Sequence, residues 1–284
     1  VTPGRINIPP IITLLDIQFL IFSEFTKNIG IFYWKYVVTP KIKKANKIIS
    51  ISKATKEDLI KRLKIPQEKI VVIPLAHNKS LYRIKKESEK RVFNFLKENK
   101  KINIKNKKII LNVNTVQPRK NIGGLIRAFN NLARENEDLV LIISGKKGWK
   151  TKKIYQEYNK SPFKDRIHFI GFTPDEIVAD LYNIASVFAY PSFYEGFGLP
   201  ILEAQACGCP VVTSNISSMP EVVGNAGVLV DPNNTKEISE AISKVIKDKN
   251  YRNKLIKKGF ENIKRFSWKK CAEETEKVYR EVIK

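Results

Sequence analysis

The sequence from Ile109 onward alternates short apolar runs with segments whose apolar residues recur at helical spacing. The apolar runs are 109–113, 139–144, 167–171, 187–190, 211–214 and 228–230, and the helical segments fall near 121–135, 174–184, 200–207 and 235–248. Apolar runs of this length predict buried strands, and strands that alternate with helices predict a parallel sheet covered by helices. The predicted fold class is therefore α/β, with ligands expected at the carboxyl ends of the strands.

The first 78 residues predict a smaller set of the same elements. The candidates are strands at 11–15, 47–52 and 70–75, a loop or short helix over 16–25, and a helix over 53–63 with Ser52 as its N-cap. An aromatic cluster with basic neighbours runs from Phe32 to Tyr36. A helix of this kind either packs on the domain core or lies on an anionic membrane surface. We expect core packing and keep peripheral membrane contact as the alternative.

Residues 79–108 form a basic segment with twelve Lys or Arg, three Glu and few apolar residues. This composition is typical of a linker or a surface helix. The whole chain has 52 Lys+Arg against 28 Asp+Glu, a net charge of +24, but Lys, Asn and Ile are enriched together, as in adenine/thymine-rich coding sequences. No aromatic stacking pattern or nucleic-acid-binding motif accompanies the charge, so we expect no nucleic acid partner.

The cysteines fit neither a disulfide framework nor a zinc site, because their number is odd and their one close spacing is a single C-x-C. They are Cys207, Cys209 and Cys271, and we expect small buried side chains and a cytoplasmic location. Apolar stretches are interrupted well short of the ~20 residues that a membrane-spanning helix needs, and no signal peptide is visible. The chain begins at Val1 without a Met, which predicts a missing N-terminal portion.

The stretch from Tyr190 to Glu203 joins a predicted strand, a glycine-rich turn and a helix. Pro200 occupies a first helical position, and Gly208 can end the helix. Free N–H groups at such a helix start favour an anion. Glu195 in the turn and Glu203 in the helix would accept hydrogen bonds from hydroxyls, so the stretch predicts a ligand with phosphate and hydroxyl groups. A glutamate that merely complements the helix dipole is the structural alternative.

The segment PSFYEGFGLPILEAQACGCPVV resembles the E-x7-E signature of retaining, family 4 type glycosyltransferases of the GT-B fold, with seven residues between Glu195 and Glu203. The resemblance covers nearly the whole chain and is strongest over 109–284. It implies two Rossmann-like domains, the first incomplete at its N-terminus because the family's early glycine loop is absent. The implied parts are an acceptor-side domain at 1–78, the basic linker or surface helix at 79–108, a nucleotide-sugar donor domain at 109–265, and a helix at 266–284 that crosses back to the first domain.

Arg119 and Lys120 follow a predicted strand and open a helix, where adjacent cations could hold a diphosphate. Solvated surface charge is the alternative in so basic a chain. The resemblance to the family's PRKN segment implies that the pair neutralises the leaving nucleoside diphosphate. It also implies that Glu195 binds the sugar hydroxyls and Glu203 the ribose hydroxyls. The other donor-binding residues it implies are Gly196, Phe197, Gly198 and Leu199 at the sugar and β-phosphate, Ile170, Phe172 and Thr173 at the base, and Ser144 and Gly145 near the nucleoside.

The sequence contains no D-x-D pair, and His77 and His168 are its only histidines. We therefore expect no metal and no other cofactor, with the leaving-group charge met by the basic pair and the helix start. Two positions depart from the family pattern. Leu15 precedes Asp16 where members often carry His, and Asn114 stands where a glycine is usual.

The prediction is a metal-independent, retaining glycosyltransferase. Its donor would be a nucleotide-diphosphate sugar of the GDP-mannose or UDP-hexose type, and its acceptor a glycan or a lipid-linked glycan. We expect a cytoplasmic location, with peripheral attachment to the inner face of the membrane left open. The alternatives are an enzyme that cleaves or isomerises a nucleotide sugar, a sugar-nucleotide-binding subunit without catalysis, which Leu15 would favour, and a basic nucleic-acid binder.

Overall fold

A computed structural model describes residues 10–22 and 28–283. Its strands are β1 Ile11–Leu14, β2 Lys47–Ser50, β3 Ile70–Val72, β4 Lys108–Val113, β5 Leu139–Ser144, β6 Ile167–Gly171, β7 Val187–Tyr190, β8 Val211–Ser214 and β9 Gly227–Val230. Its α-helices are α1 Gln18–Ile21, α2 Asn28–Tyr33, α3 Thr39–Lys43, α4 Lys53–Leu63, α5 Ser88–Lys100, α6 Ile122–Ala133, α7 Lys152–Lys160, α8 Asp175–Ile184, α9 Leu199–Ala206, α10 Met219–Val223, α11 Thr235–Lys247, α12 Lys249–Asn262 and α13 Trp268–Ile283. A π-helical segment, Trp34–Val38, joins α2 to α3.

The apolar runs predicted as strands are all strands, several with the predicted bounds. All three strand predictions in the first 78 residues were too long, because β1 ends at Leu14, β2 at Ser50 and β3 at Val72. Helix α9 begins at Leu199, so Pro200 is its second residue and not its first. The predicted short helix near 16–25 is α1, and the residues beyond 22 in that prediction lie outside the described part of the chain.

Helices α7 and α12 were not predicted, because each buries few apolar side chains. Helix α7 buries Ile154, and α12 buries Leu255 together with Gly259 and Asn262. Most of their remaining residues are charged or amide-bearing, so the apolar stripe on each helix is narrow. The short helix α10 was missed as well.

The chain divides into two compact units. Unit 1 comprises 1–76, 194–198 and 266–284, and unit 2 comprises 77–193 and 199–265. The basic segment 79–108 therefore falls within unit 2, where α5 packs against α8 and buries Val92 and Leu96. Residues 194–198 cluster with unit 1 although the strand before them and the helix after them belong to unit 2.

Unit 2 is built on a sheet with the strand order β6-β5-β4-β7-β8-β9. Every pairing in it is parallel. The chain starts at the central strand β4, runs outward through β5 to β6, and returns to β7 on the other side of β4. This is the Rossmann-type order, and its direction reverses between β4 and β7. Ligands of such sheets bind in the crevice outside the carboxyl ends of the two strands at this reversal.

Helices cover the unit 2 sheet, which explains the continuous apolar runs in its strands. All residues of β5, β7 and β8 are buried, as expected for parallel strands covered on both faces. Helices α6 and α11 pack on each other and on the sheet in one apolar cluster, in which Phe129 and Ile242 are fully buried. Helices α8 and α9 contact β4 and β7. The strand ends are thereby fixed rigidly, which positions the loops that follow them.

Unit 1 contains a parallel sheet in the order β1-β2-β3. Its α4 starts as predicted, since the Ser52 hydroxyl accepts a hydrogen bond from the Thr55 amide at 3.0 Å. Helix α13 packs on this sheet through Val278, which lies in one apolar cluster with Ile49 and Ile73. The last helix of the chain thus contributes to the core of unit 1.

No helix among residues 10–22 and 28–283 is long and apolar enough to cross a membrane.

Candidate active site

The carboxyl ends of β4 and β7 carry the predicted basic pair and the start of the glutamate-containing loop. The Asn112 side chain ties the two strands together, since its Nδ2 donates to the Ala189 carbonyl at 2.7 Å. Asn114 follows, and its Nδ2 donates to Asn112 Oδ1 at 2.7 Å. The residue that replaces the family's usual glycine therefore lies in a side-chain network at the reversal point of the sheet.

The predicted basic pair lies in a single turn of 3-10 helix, Pro118–Lys120. The segment after β7 holds this turn in place, because the Phe193 amide donates to the Arg119 carbonyl at 2.9 Å. The Lys120 side chain is only 8% exposed, and its Nζ donates to the Tyr190 hydroxyl at 3.2 Å. A buried ammonium held beside the last residue of β7 is placed to meet an anion in this crevice.

The predicted nucleoside-binding residues meet at the carboxyl ends of β5 and β6. The Gly145 amide donates to the Gly171 carbonyl at 2.8 Å, and Ser144 Oγ donates to Thr173 Oγ1 at 2.9 Å. A Cβ on Gly145 would lie 1.8 Å from the Asn114 carbonyl oxygen, so only glycine allows this approach. The structure therefore brings Ser144, Gly145 and Thr173 together at one end of the sheet.

Two neighbouring residues predicted to line the base differ in exposure. The Phe172 ring is 64% exposed, with Lys146 Nζ 4.8 Å from its centroid. Ile170 is 1% exposed, so its side chain belongs to the core of unit 2 and presents no surface to a ligand. Ile170 lies within β6, whereas Phe172 follows the end of the strand, where the chain leaves the sheet.

Glu203 lies one turn into α9 against two tyrosines. The Tyr182 hydroxyl donates to Glu203 Oε2 at 3.4 Å, and the Tyr82 hydroxyl forms a second hydrogen bond to the carboxylate. Burial, followed by the charge of Asp175, raises the pKa of Glu203 to about 7, although the tyrosine hydrogen bonds act in the opposite direction. This carboxyl therefore titrates near neutral pH, which makes it a candidate binding group.

A continuous row of aromatic rings connects this carboxylate to the buried lysine. The Tyr182 ring meets the Phe188 ring edge to face at 5.2 Å, and Phe188 stacks on Tyr190 at 5.3 Å. Tyr190 in turn contacts Lys120. The rings keep the geometry of the two charged groups of unit 2 rigid relative to each other.

Several buried polar atoms around the reversal point have no hydrogen-bond partner within the described part of the chain. They are Oδ1 of Asn114, Oε1 of Gln117 and Oγ of Ser192. Leaving a buried polar atom unsatisfied costs free energy, so groups of this kind call for a partner from a ligand or from ordered water. All three lie in the segments that follow β4 and β7.

The loop that carries Glu195 belongs to unit 1. The Glu195 side chain is 6% exposed. A Cβ on Gly196 would lie 2.0 Å from the Leu15 carbonyl oxygen, so the glycine permits close contact with the residues after β1. Gly198 has φ +102°, a conformation that also favours glycine. Leu15, at the position of the family's histidine, is exposed.

Among residues 10–22 and 28–283 no three His, Cys, Asp or Glu side chains are clustered so that they could hold a metal ion. His77 is buried and His168 is partly buried, and burial lowers the pKa of each.

Residues 94–262 match the family model described as glycosyl transferases group 1. The match covers more than half of the chain and includes Lys120, Thr173 and Glu203. The chain belongs to this family of glycosyltransferases. The glycosyltransferase is 35% identical over 269 residues to the O-antigen chain mannosyltransferase B of Escherichia coli, covering 94% of this chain and 69% of that protein. It is 28% identical over 237 residues to the serotype-specific mannosyltransferase WbdA of Escherichia coli, covering 82% of this chain and 28% of that longer protein.

Solved structures show the same fold. The HepE protein of Anabaena, crystallised with UDP and glucose, superposes with a TM-score of 0.80 at 20% sequence identity, covering 96% of this chain and 71% of that one. The predicted fold class, α/β of the GT-B type with two Rossmann-like domains, is confirmed.

Sequence reasoning missed the tyrosines around the site. Tyr82 lies in the segment interpreted as a linker, and no sequence spacing relates it to Glu203. Tyr182 lies on α8, which was predicted correctly, and the sequence does not distinguish it from the other residues on the buried face of that helix. These contacts could have been anticipated only from a general rule: a buried tyrosine usually has a polar hydrogen-bond partner for its hydroxyl.

Proposed function

We propose that this glycosyltransferase transfers a hexosyl group from a nucleotide-diphosphate sugar with retention of configuration and without a metal ion. The observation that carries the proposal is the pair of buried charged groups in unit 2. Lys120 is buried at the sheet reversal, and Glu203 is buried on the helix that follows β7. A cation for the diphosphate and a carboxylate for the ribose hydroxyls match the two ends of a nucleoside diphosphate.

The catalytic contribution assigned to unit 2 is leaving-group stabilisation. As the sugar–phosphate bond breaks, negative charge grows on the diphosphate, and Arg119 and Lys120 supply positive charge at the carboxyl end of β4. Amides at the start of α9, from Phe197 to Leu199, add hydrogen-bond donors with the favourable end of the helix dipole. Ser144, Thr173 and the exposed Phe172 ring are assigned to the nucleoside.

Glu195 is assigned to the transferred sugar. Its carboxylate would accept hydrogen bonds from sugar hydroxyls and orient the donor, which lowers the barrier only if the contact strengthens as the bond breaks. Two glycines follow Glu195: Gly196 permits the close approach to the Leu15 carbonyl, and Gly198 has a positive φ that favours glycine.

Metal independence rests on the basic pair and on the missing D-x-D sequence. We expect full activity in excess chelator. Loss of activity with chelator, followed by recovery on adding Mg²⁺ or Mn²⁺, would falsify this part of the proposal.

The names of the relatives support a mannosyl or related hexosyl donor and a glycan or lipid-linked acceptor, as in O-antigen polysaccharide synthesis. Both Escherichia coli relatives are mannosyltransferases, and the Anabaena neighbour binds UDP. A panel of nucleotide sugars including GDP-mannose and UDP-glucose, each supplied with and without short mannan acceptors, tests the proposal. Transfer to an acceptor with an unchanged anomeric configuration is the expected result. Donor hydrolysis without transfer would support the hydrolytic alternative, and binding without turnover the non-catalytic one.

Peripheral contact with an anionic membrane is the remaining part of the proposal. Phe32, Tyr33 and Tyr36 are each more than half exposed, and Lys35 Nζ lies 5.4 Å from the Tyr36 ring centroid. Exposed aromatic rings beside lysines suit the interface of an anionic bilayer. We expect sedimentation with phosphatidylglycerol vesicles and not with phosphatidylcholine vesicles. Phe32→Ser/Tyr36→Ser should abolish it, whereas Tyr279→Ser, at another exposed ring of unit 1, should not. Equal sedimentation of both variants would contradict the membrane contact.

A further inference from the structure

The five-residue segment 194–198 is held by unit 1, although it connects two elements of unit 2. Glu195 lies within it. The residues that hold this segment determine where the Glu195 carboxylate lies. The proposed function assigns that carboxylate to the transferred sugar.

The residue before Glu195 is fixed by α4. The Tyr194 hydroxyl donates to Asp58 Oδ2 at 2.9 Å, and the other carboxylate oxygen, Oδ1, accepts from Arg62 Nε at 3.2 Å. Tyr194 is buried, and burial followed by the charge of Asp58 raises the pKa of its phenol well above the ordinary value. The phenol therefore stays protonated and remains a hydrogen-bond donor.

The residue after Glu195 is fixed by the first turn of the same helix. Thr55 Oγ1 donates to the Gly196 carbonyl at 3.2 Å and accepts from Ser52 Oγ at 3.0 Å. The N-cap of α4 therefore continues into the glycine loop as a chain of hydrogen bonds. A Cβ on Gly196 would lie 2.0 Å from the Leu15 carbonyl oxygen, so the loop packs closely against the residues after β1.

Aromatic contacts hold the two ends of the segment. The Tyr194 ring lies 5.8 Å from the Phe22 ring, and the Phe197 ring meets the Phe266 ring edge to face at 5.8 Å. Glu195 is thus flanked on both sides by residues that are anchored through side chains of unit 1.

We propose that Asp58 and Thr55 are positioning residues for Glu195, and that α4 of unit 1 sets the orientation of the carboxylate that contacts the transferred sugar. This inference rests on the proposed role of Glu195. It predicts that damage to the anchor lowers turnover while nucleotide binding in unit 2 is unchanged. A purely structural role would instead lower stability and leave turnover per folded molecule unchanged.

The test compares Tyr194→Phe, Asp58→Asn and Asp58→Ala in the full chain. We expect kcat to fall by about tenfold to a hundredfold, the range for a catalytic group displaced by roughly 1 Å or less. The dissociation constant for the nucleoside diphosphate, measured by calorimetry, should change less than about twofold. Asp58→Asn should be the mildest change, because the amide oxygen still accepts from the phenol. The double variant Tyr194→Phe/Asp58→Ala should be no worse than Asp58→Ala alone, since both remove one bond.

Glu57→Gln is the matched control, because Glu57 is the neighbouring carboxylate of α4 and pairs only with Lys61 at the surface among the contacts seen. Its kcat should equal that of the unsubstituted chain. Unchanged kcat in Tyr194→Phe and Asp58→Ala, or an equal loss in Glu57→Gln, would overturn the proposal.

Amide hydrogen exchange separates this inference from the proposed function. Asp58→Ala should speed exchange at residues 194–198 and leave α9 unaffected. If the unsubstituted chain shows neither transfer nor donor hydrolysis, the proposed function fails. The exchange result then still decides whether α4 holds the loop, and unchanged exchange would overturn that claim.

Discussion

Glu203 shows how strongly one residue's environment can oppose its usual charge state. Burial raises its pKa to about 7, against an ordinary glutamate value of 4.5. The protonated form is therefore favoured on folding. Its contribution to stability is complete below pH 4.5 and is lost as the pH rises through about 7. A nucleotide whose ribose donates hydrogen bonds to the carboxylate would favour the ionised form and offset this cost.

Glu203→Gln should consequently stabilise the protein at alkaline pH. A shift from 4.5 to about 7 corresponds to about 3 kcal/mol at most, so the melting temperature at pH 8 should rise, while at pH 4.5 the gain should vanish. Differential scanning calorimetry of both proteins across this pH range measures the change in melting temperature. Glu176→Gln, an exposed carboxylate on the adjacent α8, serves as control and should show no such trend. A gain that is independent of pH would show that Glu203 is not the titrating group.

Alanine substitutions of Glu195 and Glu203 should impair different properties of the enzyme. Glu195→Ala should mainly lower kcat, because the sugar loses a partner during bond breaking. Glu203→Ala should mainly weaken binding of the free nucleoside diphosphate, by roughly 1–3 kcal/mol. Turnover assays and calorimetry on both variants measure the division, and equal losses of nucleotide affinity would refute it.

At the scale of elements, α5 is joined to α8 by a buried carboxylate. Asp180 accepts hydrogen bonds from Arg91 Nε at 2.6 Å, Arg91 Nη2 at 2.7 Å and Ser88 Oγ at 2.7 Å. Burial alone would raise the pKa of Asp180, but the hydrogen bonds from Arg91 and Ser88 hold it below the ordinary value. The segment predicted as a linker or a surface helix is therefore an integral part of unit 2.

Substitutions of Arg91 and of Asp180 should lower the stability of the protein to different extents. The Arg91 side chain is 42% exposed, whereas that of Asp180 is 2% exposed. Arg91→Met would leave a buried carboxylate without its cation, whereas Asp180→Asn would leave a guanidinium that water can still reach. Arg91→Met should therefore lower the melting temperature more at pH 7. Arg127→Met, which breaks a surface pair with Glu157, is the control and should have little effect. The reverse order for Arg91 and Asp180 would contradict the assignment.

At the scale of the whole molecule, the unit boundaries decide which fragment can bind donor. A fragment spanning 105–284 follows the sequence pattern, but it lacks α5 and includes α13, which packs in unit 1. A fragment spanning 77–265 keeps the complete unit 2 core. We expect the second fragment to bind a nucleoside diphosphate with an affinity close to that of the full chain, and the first to be less stable and aggregation-prone.

Calorimetry and thermal melting of both fragments beside the full chain test this. The fragment 77–265 should also show negligible turnover, because residues 194–198 would lack the unit 1 side chains that hold them. Equal stability of the two fragments, or transfer activity in 77–265, would show that the boundaries are misplaced.

The sequence by itself determined the elements whose evidence is local. Apolar runs separated by helices predicted the parallel sheet, because burial on both faces requires continuous apolar residues. Ser52 predicted the start of α4, and the motif from Tyr190 to Glu203 predicted the strand, loop and helix. The basic pair was placed correctly at the end of β4 for the same reason.

Only the tertiary structure decided what surrounds these groups. Asp58 and Tyr194 are 136 positions apart, and their hydrogen bond has no sequence signature. Tyr82 meets Glu203 because the segment after β3 folds against α8 and α9, and a composition rich in lysine concealed this. The pKa of Glu203 and the anchoring of Glu195 both depend on such long-range contacts. Packing decides which residues that are distant in sequence come into contact. The local sequence pattern indicates only which face of each helix or strand is buried.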